Sequence, residues 1–154
     1  PFLYHTTNLN NYMSLTTEMP QNHFSEKLPL SQYSRGMGSL GLPGDLSSAS
    51  RFVRAAFTTL NSVSGESEKE SVSQFFHILN SVYQQKGCVK MGNDLYEKTV
   101  YSSCMNTDKG IYYYTTYENA QINAIDMHRE NLDGEKLISY ELIKEQQINY
   151  QNIN

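Results

Sequence analysis

The hydrophobic pattern of the chain changes near Gly87, and this change limits the possible folds more than any other feature. In residues 47–82, before Gly87, apolar side chains recur every three or four residues, as on one face of an α-helix. After it, short runs rich in Val, Ile, Thr and Tyr are separated by turn residues, as in the strands of an antiparallel sheet. Separate helical and strand blocks predict an α+β domain with helices packed on one face of the sheet.

Two helices are predicted in the first block. Ser47 or Ser48 caps the first helix, whose apolar positions are Phe52, Val53, Ala56, Phe57 and Leu60. The second helix follows Ser64 and Gly65, has Glu66, Glu68 and Glu70 at its positive N-terminal end, and buries Val72, Phe75, Phe76, Leu79 and Val82. A weaker pattern predicts a short helix within residues 3–15.

Five strands are predicted in the second block, at 88–91, 95–104, 111–117, 121–128 and 136–142. The segments between them contain Gly, Asn and Asp, which favour tight turns, so consecutive strands are expected to pair as an antiparallel meander. The Gln/Asn-rich tail at 145–154 is predicted to fray.

Residues 20–45 contain three prolines and four glycines with few spaced apolar residues, which predicts a long irregular loop. Loops of this length are usually functional or mobile. Residues 36–41 fit the pattern Gly-x-Gly-x-x-Gly of dinucleotide sites, but no buried strand precedes them and Pro43 follows where a helix should begin. We therefore attribute the pattern to chance and expect these glycines to provide positive φ angles and close backbone approach.

The composition favours a soluble globular protein, with 38% hydrophobic and 18% charged residues. The net charge of −4 is spread along the chain, which argues against nucleic acid as a partner. Neither a signal peptide nor a membrane span is apparent, so we predict a cytoplasmic protein without membrane contact. Because the chain begins at Pro1 rather than Met, we expect it to begin within a longer protein.

The cysteines and histidines show no metal-ligand spacing, so neither a metal nor another cofactor is predicted. Two cysteines, Cys88 and Cys104, favour a reducing compartment, and Cys104 is interpreted as a small buried hydrophobe in a strand. His77 lies beside the apolar stripe of the second helix, where we expect a hydrogen-bonded structural histidine.

Several motifs together resemble the choloylglycine hydrolase family, which comprises bile salt hydrolases and penicillin V acylases. They are NLNNY at 8–12, GLPGD at 41–45, SRFVR at 50–54, SQFFH at 73–77, YSSCMN at 101–106, YYY at 112–114 and TYE at 116–118. Their order matches the family along essentially the whole chain, and the bile salt hydrolases match best. The resemblance implies that residues 1–154 are a partial domain, the C-terminal part of an N-terminal-nucleophile hydrolase with a four-layer αββα sandwich.

The resemblance also implies a reaction. In the family, an N-terminal cysteine attacks the amide that joins a bile acid to glycine or taurine, and water then releases the acyl group. An α-amino group has a pKa of about 7.7–8.0, so the nucleophile's own nitrogen can act as the base. Pro1 holds the first position here and neither Cys88 nor Cys104 is terminal, so we expect the nucleophile to lie outside this chain and the chain alone to be inactive.

Two arginines are candidates for the site. Arg51 matches the first arginine of the family's Ser-Arg-Phe-Val-Arg motif, where a permanently charged guanidinium would favour the thiolate and stabilise negative charge in the transition state. Arg35 lies in a loop that varies among bile salt hydrolases, and its charge suits a taurine sulfonate or a glycine carboxylate. The alternative for Arg51 is a solvated or salt-bridged surface arginine, which is also our interpretation of Arg54. The alternative for Arg35 is a mobile loop arginine that faces water.

Three functions remain open on the sequence. The first is a fragment of a bile salt hydrolase, whose small-molecule substrates are conjugated bile salts. The second is a penicillin V acylase of the same family. The third is a truncated noncatalytic product or a binding module. The resemblance further implies a homotetramer for the intact protein, assembled in part through the loop at 20–45.

Overall fold

The computed structural model describes residues 2–152, and the chain divides into two compact units, residues 1–63 and 64–154. The first unit contains two α-helices and a long loop, and the second contains one α-helix and all five strands. No helix within the described residues is both long enough and apolar enough to cross a bilayer.

The first unit begins with helix α1 (Phe2–Asn8), which continues as a 3-10 turn over Leu9–Tyr12. The helix predicted within 3–15 is therefore confirmed but ends early. Asn10 donates from Nδ2 to the Thr7 carbonyl at 3.0 Å, and Asn11 donates to the Asn8 side chain. Side chains that bond locally in this way compete with helical hydrogen bonding, which explains the early end.

Helix α2 (Ser48–Asn61) is capped by Ser47, whose Oγ accepts a hydrogen bond from the Ser50 N–H at 3.3 Å. Its apolar face buries Val53, which is only 1% exposed. The neighbouring Phe52 ring stacks on His5 with centroids 5.0 Å apart and meets Phe2 edge-on at 6.1 Å. Aromatic contacts thus fix α1 against α2.

Helix α3 (Glu68–Asn80) opens the second unit with a reciprocal capping box between Ser67 and Glu70. The Ser67 N–H donates to Glu70 Oε2 at 3.0 Å, and the Glu70 N–H donates to Ser67 Oγ at 3.3 Å. Both predicted helices therefore form, and their starts are fixed by serine caps. Among the described residues of this unit, Phe76 on α3 and Tyr114 on the sheet are the buried hydrophobic ones.

The strands form two separate sheets. A hairpin pairs β1 (Val89–Gly92) with β2 (Leu95–Glu97), and its turn residues Asn93 and Asp94 both have positive φ. The main sheet has the order β3-β4-β5, made of Tyr101–Asn106, Ile111–Thr116 and Asn123–Asp126. Both of its pairings are antiparallel, so the predicted meander is confirmed for these three strands.

The single strand predicted at 95–104 is wrong, because the chain forms two strands there. Between β2 and β3, Thr99 leaves the ladder and bonds to the segment that follows α3. Its N–H donates to the Gln84 carbonyl at 3.0 Å, and its Oγ1 accepts from the Gln84 N–H at 2.9 Å. This tertiary contact divides an otherwise continuous β-favouring run.

The strand predicted at 136–142 is also wrong, since this segment has no strand structure and Leu137 is 94% exposed. The chain instead crosses the end of β4 just beyond it. The Ile143 N–H donates to the Tyr114 hydroxyl at 3.3 Å, and its carbonyl accepts from Thr116 Oγ1 at 3.2 Å. These two hydrogen bonds involve side chains of β4 and not its backbone, so they do not add a further strand to the sheet. Residues 145–152 are exposed, and 153–154 lie outside the described residues.

Glu68 joins the start of α3 to the sheet. Its carboxylate accepts from Asn106 Nδ2 at 2.6 Å, from Lys109 Nζ at 2.7 Å and from the Tyr113 hydroxyl at 2.9 Å. The Lys109 hydrogen bond, with smaller contributions from Tyr113 and Asn106, lowers the pKa of Glu68. Asn106 and Tyr113 lie on the same side of β3 and β4 by the strand register, so α3 covers that side of the sheet.

Replacing Glu68 by alanine is expected to lower the melting temperature, because Asn106, Lys109 and Tyr113 lose their shared acceptor. Glu66→Ala is the matched control, since Glu66 is exposed and precedes the helix by two residues. Thermal denaturation of both variants by circular dichroism measures the difference. Equal melting temperatures would show that the Glu68 contacts do not stabilise the unit.

Candidate functional site

Two of the recognised motifs fold onto each other in the first unit. Arg54 donates from Nη1 to the Pro43 carbonyl at 2.8 Å and to the Asp45 carbonyl at 2.7 Å. The GLPGD loop at 41–45 is thereby held against the SRFVR segment at the start of α2. Arg54, which we interpreted as a solvated or salt-bridged surface arginine, also has a structural role, because its guanidinium satisfies loop carbonyls that would otherwise need water.

Asp45 completes this junction, and sequence reasoning gave it no role. Its carboxylate accepts from the Ser47 N–H at 2.9 Å and from the Ser50 hydroxyl. Hydrogen bonds from Ser47 and then Ser50 lower the pKa of Asp45 from 3.8 to about 2. The available signal was an aspartate two residues before a serine cap, a pattern typical of a turn that leads into a helix.

The Asp45 junction predicts a specific pH dependence. The pKa of Asp45 is lower in the folded chain than its ordinary value of 3.8. The ionised carboxylate therefore stabilises the fold fully at pH values above 3.8, and this stabilisation is lost as the pH falls through about 2. Carbon-detected NMR of the Asp45 carboxyl should show a midpoint near 2. Ser50→Ala removes one donor and should move the midpoint upward; a wild-type midpoint near 3.8 would contradict the hydrogen-bonded junction.

Arg51 lies in the first turn of α2, immediately after the buried Ser50. Its side chain is half-buried and its Nε atom is shielded from solvent. A guanidinium in such a position is less screened than one on the surface. Ser50 and Arg54 anchor the same turn to the loop at 41–45, so the backbone that carries Arg51 is fixed on both sides.

Arg35 is exposed and lies in the long loop, directly before Gly36, which has a φ of +81°. Its own carbonyl accepts from the Ser34 hydroxyl at 3.1 Å. The guanidinium therefore extends from a turn whose backbone conformation favours glycine at the next position. An exposed cation in a loop is accessible to an anionic ligand.

The long loop is irregular, as predicted, but it is internally ordered. The Thr16 N–H donates to the Gly38 carbonyl at 3.0 Å and closes its base, while Gln32 Nε2 donates to the Pro20 carbonyl at 2.8 Å. Within it, Asn22 Nδ2 donates to the Leu28 carbonyl at 2.7 Å. The loop surrounds an open cavity of about 880 Å³, lined by Pro20, Gln21, Asn22, His23, Phe24, Leu30, Ser31, Gln32 and Met37.

The expected roles of the glycines at 36, 38 and 41 are confirmed, and Gly41 has a φ of +99°. Gly36 has positive φ, and Gly38 has no space for a side chain, since a Cβ there would lie 2.0 Å from the Glu18 carbonyl oxygen. Close packing of backbone on backbone at Gly38 closes the loop.

Neither cysteine is placed as a nucleophile. Both are free thiols; Cys88 is exposed, while Cys104 is half-buried rather than buried as predicted. Burial raises the pKa of Cys104, which disfavours its thiolate.

His77 is exposed and its side chain makes no hydrogen bond within the described residues, so the structural role predicted for it is wrong. Residues 2–152 contain no group of three or more His, Cys, Asp or Glu side chains arranged for a metal.

The described geometry is that of an α+β fold, and comparison with known proteins defines its family. The model of linear amide C–N hydrolases of the choloylglycine hydrolase family matches residues 1–140. The chain belongs to the choloylglycine hydrolase family.

Characterised relatives agree with this assignment. The bile salt hydrolase/transferase of Lactiplantibacillus plantarum is 61% identical over 146 residues, which are 95% of this chain and 45% of that protein. The bile salt hydrolase/transferase of Clostridium perfringens is 41% identical over 98% of this chain and 46% of its own length. This chain thus spans less than half the length of these relatives.

A solved structure confirms the fold class. The crystal structure of a mutant of the conjugated bile acid hydrolase from Clostridium perfringens superimposes with a TM-score of 0.86 and 42% identity, covering 99% of this chain and 46% of that one. A second variant of the same hydrolase gives a TM-score of 0.85. The chain therefore has the α+β fold of N-terminal-nucleophile hydrolases.

Proposed function

We propose that this chain is the C-terminal part of a conjugated bile salt hydrolase. The observation that carries the proposal is the 61% identity to a bile salt hydrolase/transferase over 95% of the chain. The proposed substrates are small molecules, bile acids joined by an amide to glycine or taurine.

The proposed reaction proceeds by acyl transfer to a cysteine supplied by the rest of the protein. The cysteine sulfur attacks the amide carbonyl, the C–N bond breaks, and the amine of glycine or taurine leaves with a proton. Water then attacks the thioester, which releases the free bile acid and restores the thiol. An amine in place of water at the second step would give the transferase reaction that the names of the relatives include.

Arg51 is the proposed catalytic residue of this part of the chain. Its half-buried position supports the role, because a shielded positive charge favours a nearby thiolate and the oxyanion of the tetrahedral intermediate. The turn that carries it is fixed by Asp45, Ser50 and Arg54, which supplies the rigidity that such a site needs.

Arg35 is the proposed contact for the amino-acid part of the substrate. Both glycine and taurine conjugates end in an anion, and an exposed guanidinium can bind a carboxylate or a sulfonate.

We further propose that the intact protein is a cytoplasmic homotetramer whose subunits meet in part through the long loop. The loop supports this role because it exposes large apolar side chains, with Phe24 79% and Tyr33 80% exposed. Large exposed apolar side chains on an ordered loop are compatible with a protein interface.

The test is a chimaera in which residues 1–154 follow the part of the Lactiplantibacillus plantarum relative that lies outside the match. Purified chimaera is incubated with glycocholate, taurocholate and penicillin V, and the released glycine, taurine and side-chain acid are quantified. The unfused chain is the control, for which no turnover is expected.

Release of glycine or taurine is the expected result. Cleavage of penicillin V alone would replace the proposal by an acylase, and a folded chimaera that cleaves none of the three would indicate a noncatalytic remnant.

A further inference from the structure

The second unit contains a groove of about 420 Å³ between α3 and the end of β4, distinct from the arginines discussed above. Its volume lies within the range of roughly 300–1,000 Å³ that is usual for small-molecule sites. It is lined by Ser73, Phe76, His77, Asn80, Tyr83, Gln85, Thr115, Thr116, Tyr117, Ala120 and Ile122.

One wall of the groove is a row of polar side chains on α3. Ser73, His77 and Asn80 are four and three residues apart, so they lie on one face of the helix. Gln85 and Thr115 add an amide and a hydroxyl across the groove. None of these five side chains makes a hydrogen bond within the described residues, so their donors and acceptors are available to a ligand.

The aromatic part of the groove is held rigid. Tyr83 stacks on Tyr117 with centroids 5.8 Å apart and planes inclined by 15°. The Tyr117 hydroxyl accepts from the Lys86 N–H at 3.0 Å, and Lys98 Nζ lies 4.4 Å from the centroid of the same ring. A wall fixed in this way loses little freedom when a ligand binds.

The groove contains no Asp, Glu, Lys or Arg side chain, although a groove between α3 and β3 contains Glu66 and Glu68. A charged ligand would therefore lose hydration without gaining an opposite charge. The lining side chains of Ser, Thr, Asn and Gln each donate and accept, which suits hydroxyl groups, and Phe76 and Tyr83 suit the C–H face of a ring.

We infer that this groove binds an uncharged polyhydroxylated molecule of the size of a mono- or disaccharide. The inference rests on the second unit alone and does not depend on the proposed hydrolase function.

The test is isothermal titration of the full chain with lactose and N-acetylglucosamine as neutral probes and with glucuronate and glucosamine as charged ones. The double variant His77→Ala with Asn80→Ala removes two side chains of the polar row and should weaken binding of the neutral probes about tenfold or more. Gln74→Ala is the matched control, since Gln74 lies on α3 but outside the groove.

The expected pattern is binding of a neutral probe that is lost in the double variant and retained in Gln74→Ala. The inference would be overturned if neutral and charged probes bound equally, or if the double variant bound as well as the parent. It would also be overturned if no probe bound to a chain that shows a native tyrosine near-ultraviolet signal. A chain without that signal would also overturn it, because the argument requires the stacked Tyr83 and Tyr117 wall.

Discussion

Replacing Arg51 by alanine in the completed enzyme is expected to lower kcat/KM for conjugated bile salts by about 10²–10³-fold, the usual loss when one transition-state stabilising group is removed. Arg51 is half-buried with its Nε atom shielded from solvent, so its charge is poorly screened and water does not replace it well. Lysine at this position keeps the positive charge but lacks the planar guanidinium group with its paired N–H donors, so Arg51→Lys should recover only part of the activity.

Arg129→Ala is the matched control for Arg51. Its side chain is 83% exposed and pairs with Asp126 three residues earlier, so its removal should leave turnover unchanged. Steady-state release of glycine and taurine measures both variants, and circular dichroism checks that each is folded. Activity of Arg51→Ala within about twofold of the parent would contradict the role that we propose for it.

Gly38→Ala is expected to destabilise the first unit by about 3 kcal/mol, at the upper end of the usual cost of overpacking. The added Cβ would lie 2.0 Å from the Glu18 carbonyl oxygen and 2.7 Å from that of Thr16. Both are backbone atoms, so the loop base must open, and the bond from the Thr16 N–H to the Gly38 carbonyl is lost. Limited proteolysis should then cleave within 17–37 faster than in the parent chain.

Gly44→Ala is the control for this second prediction. No atom lies within 4 Å of a Cβ at Gly44, so the substitution adds no clash. Its proteolysis rate should match or fall below that of the parent, because alanine reduces the freedom of the unfolded chain. Similar rates for Gly38→Ala and Gly44→Ala would show that the backbone approach at Gly38 does not hold the loop closed.

The helices were predictable because the interactions that define them are local. The spacing of Phe52, Val53 and Ala56 indicated α2, and serines three residues from their bonded N–H groups marked the starts of both helices. Strands β4 and β5 were predictable for the same reason, since turn residues bound the β-favouring runs at 111–117 and 121–128.

The errors occurred where distant residues decide the structure. The run at 95–104 has strand chemistry throughout, yet Thr99 bonds to Gln84, fifteen positions earlier, and divides it. The structural role of Arg54 also depends on a distant segment, since its guanidinium binds the carbonyls of Pro43 and Asp45. Leu137, Ile138 and Tyr140 favour a strand by composition, but the described chain forms no strand there, and the Tyr140 hydroxyl donates to the Glu130 carboxylate.

The sequence by itself determined the α+β class, the helical starts and, through the motifs at 41–45 and 50–54, the family. These features depend on periodicity, caps and turn chemistry, which act over a few residues. Only the tertiary structure decided how Asp45, Ser50 and Arg54 lock the turn that carries Arg51, and how α3 and β4 enclose an uncharged groove. The reason is that hydrogen bonds and packing between distant segments depend on where the chain returns in space, and residue spacing does not encode that position.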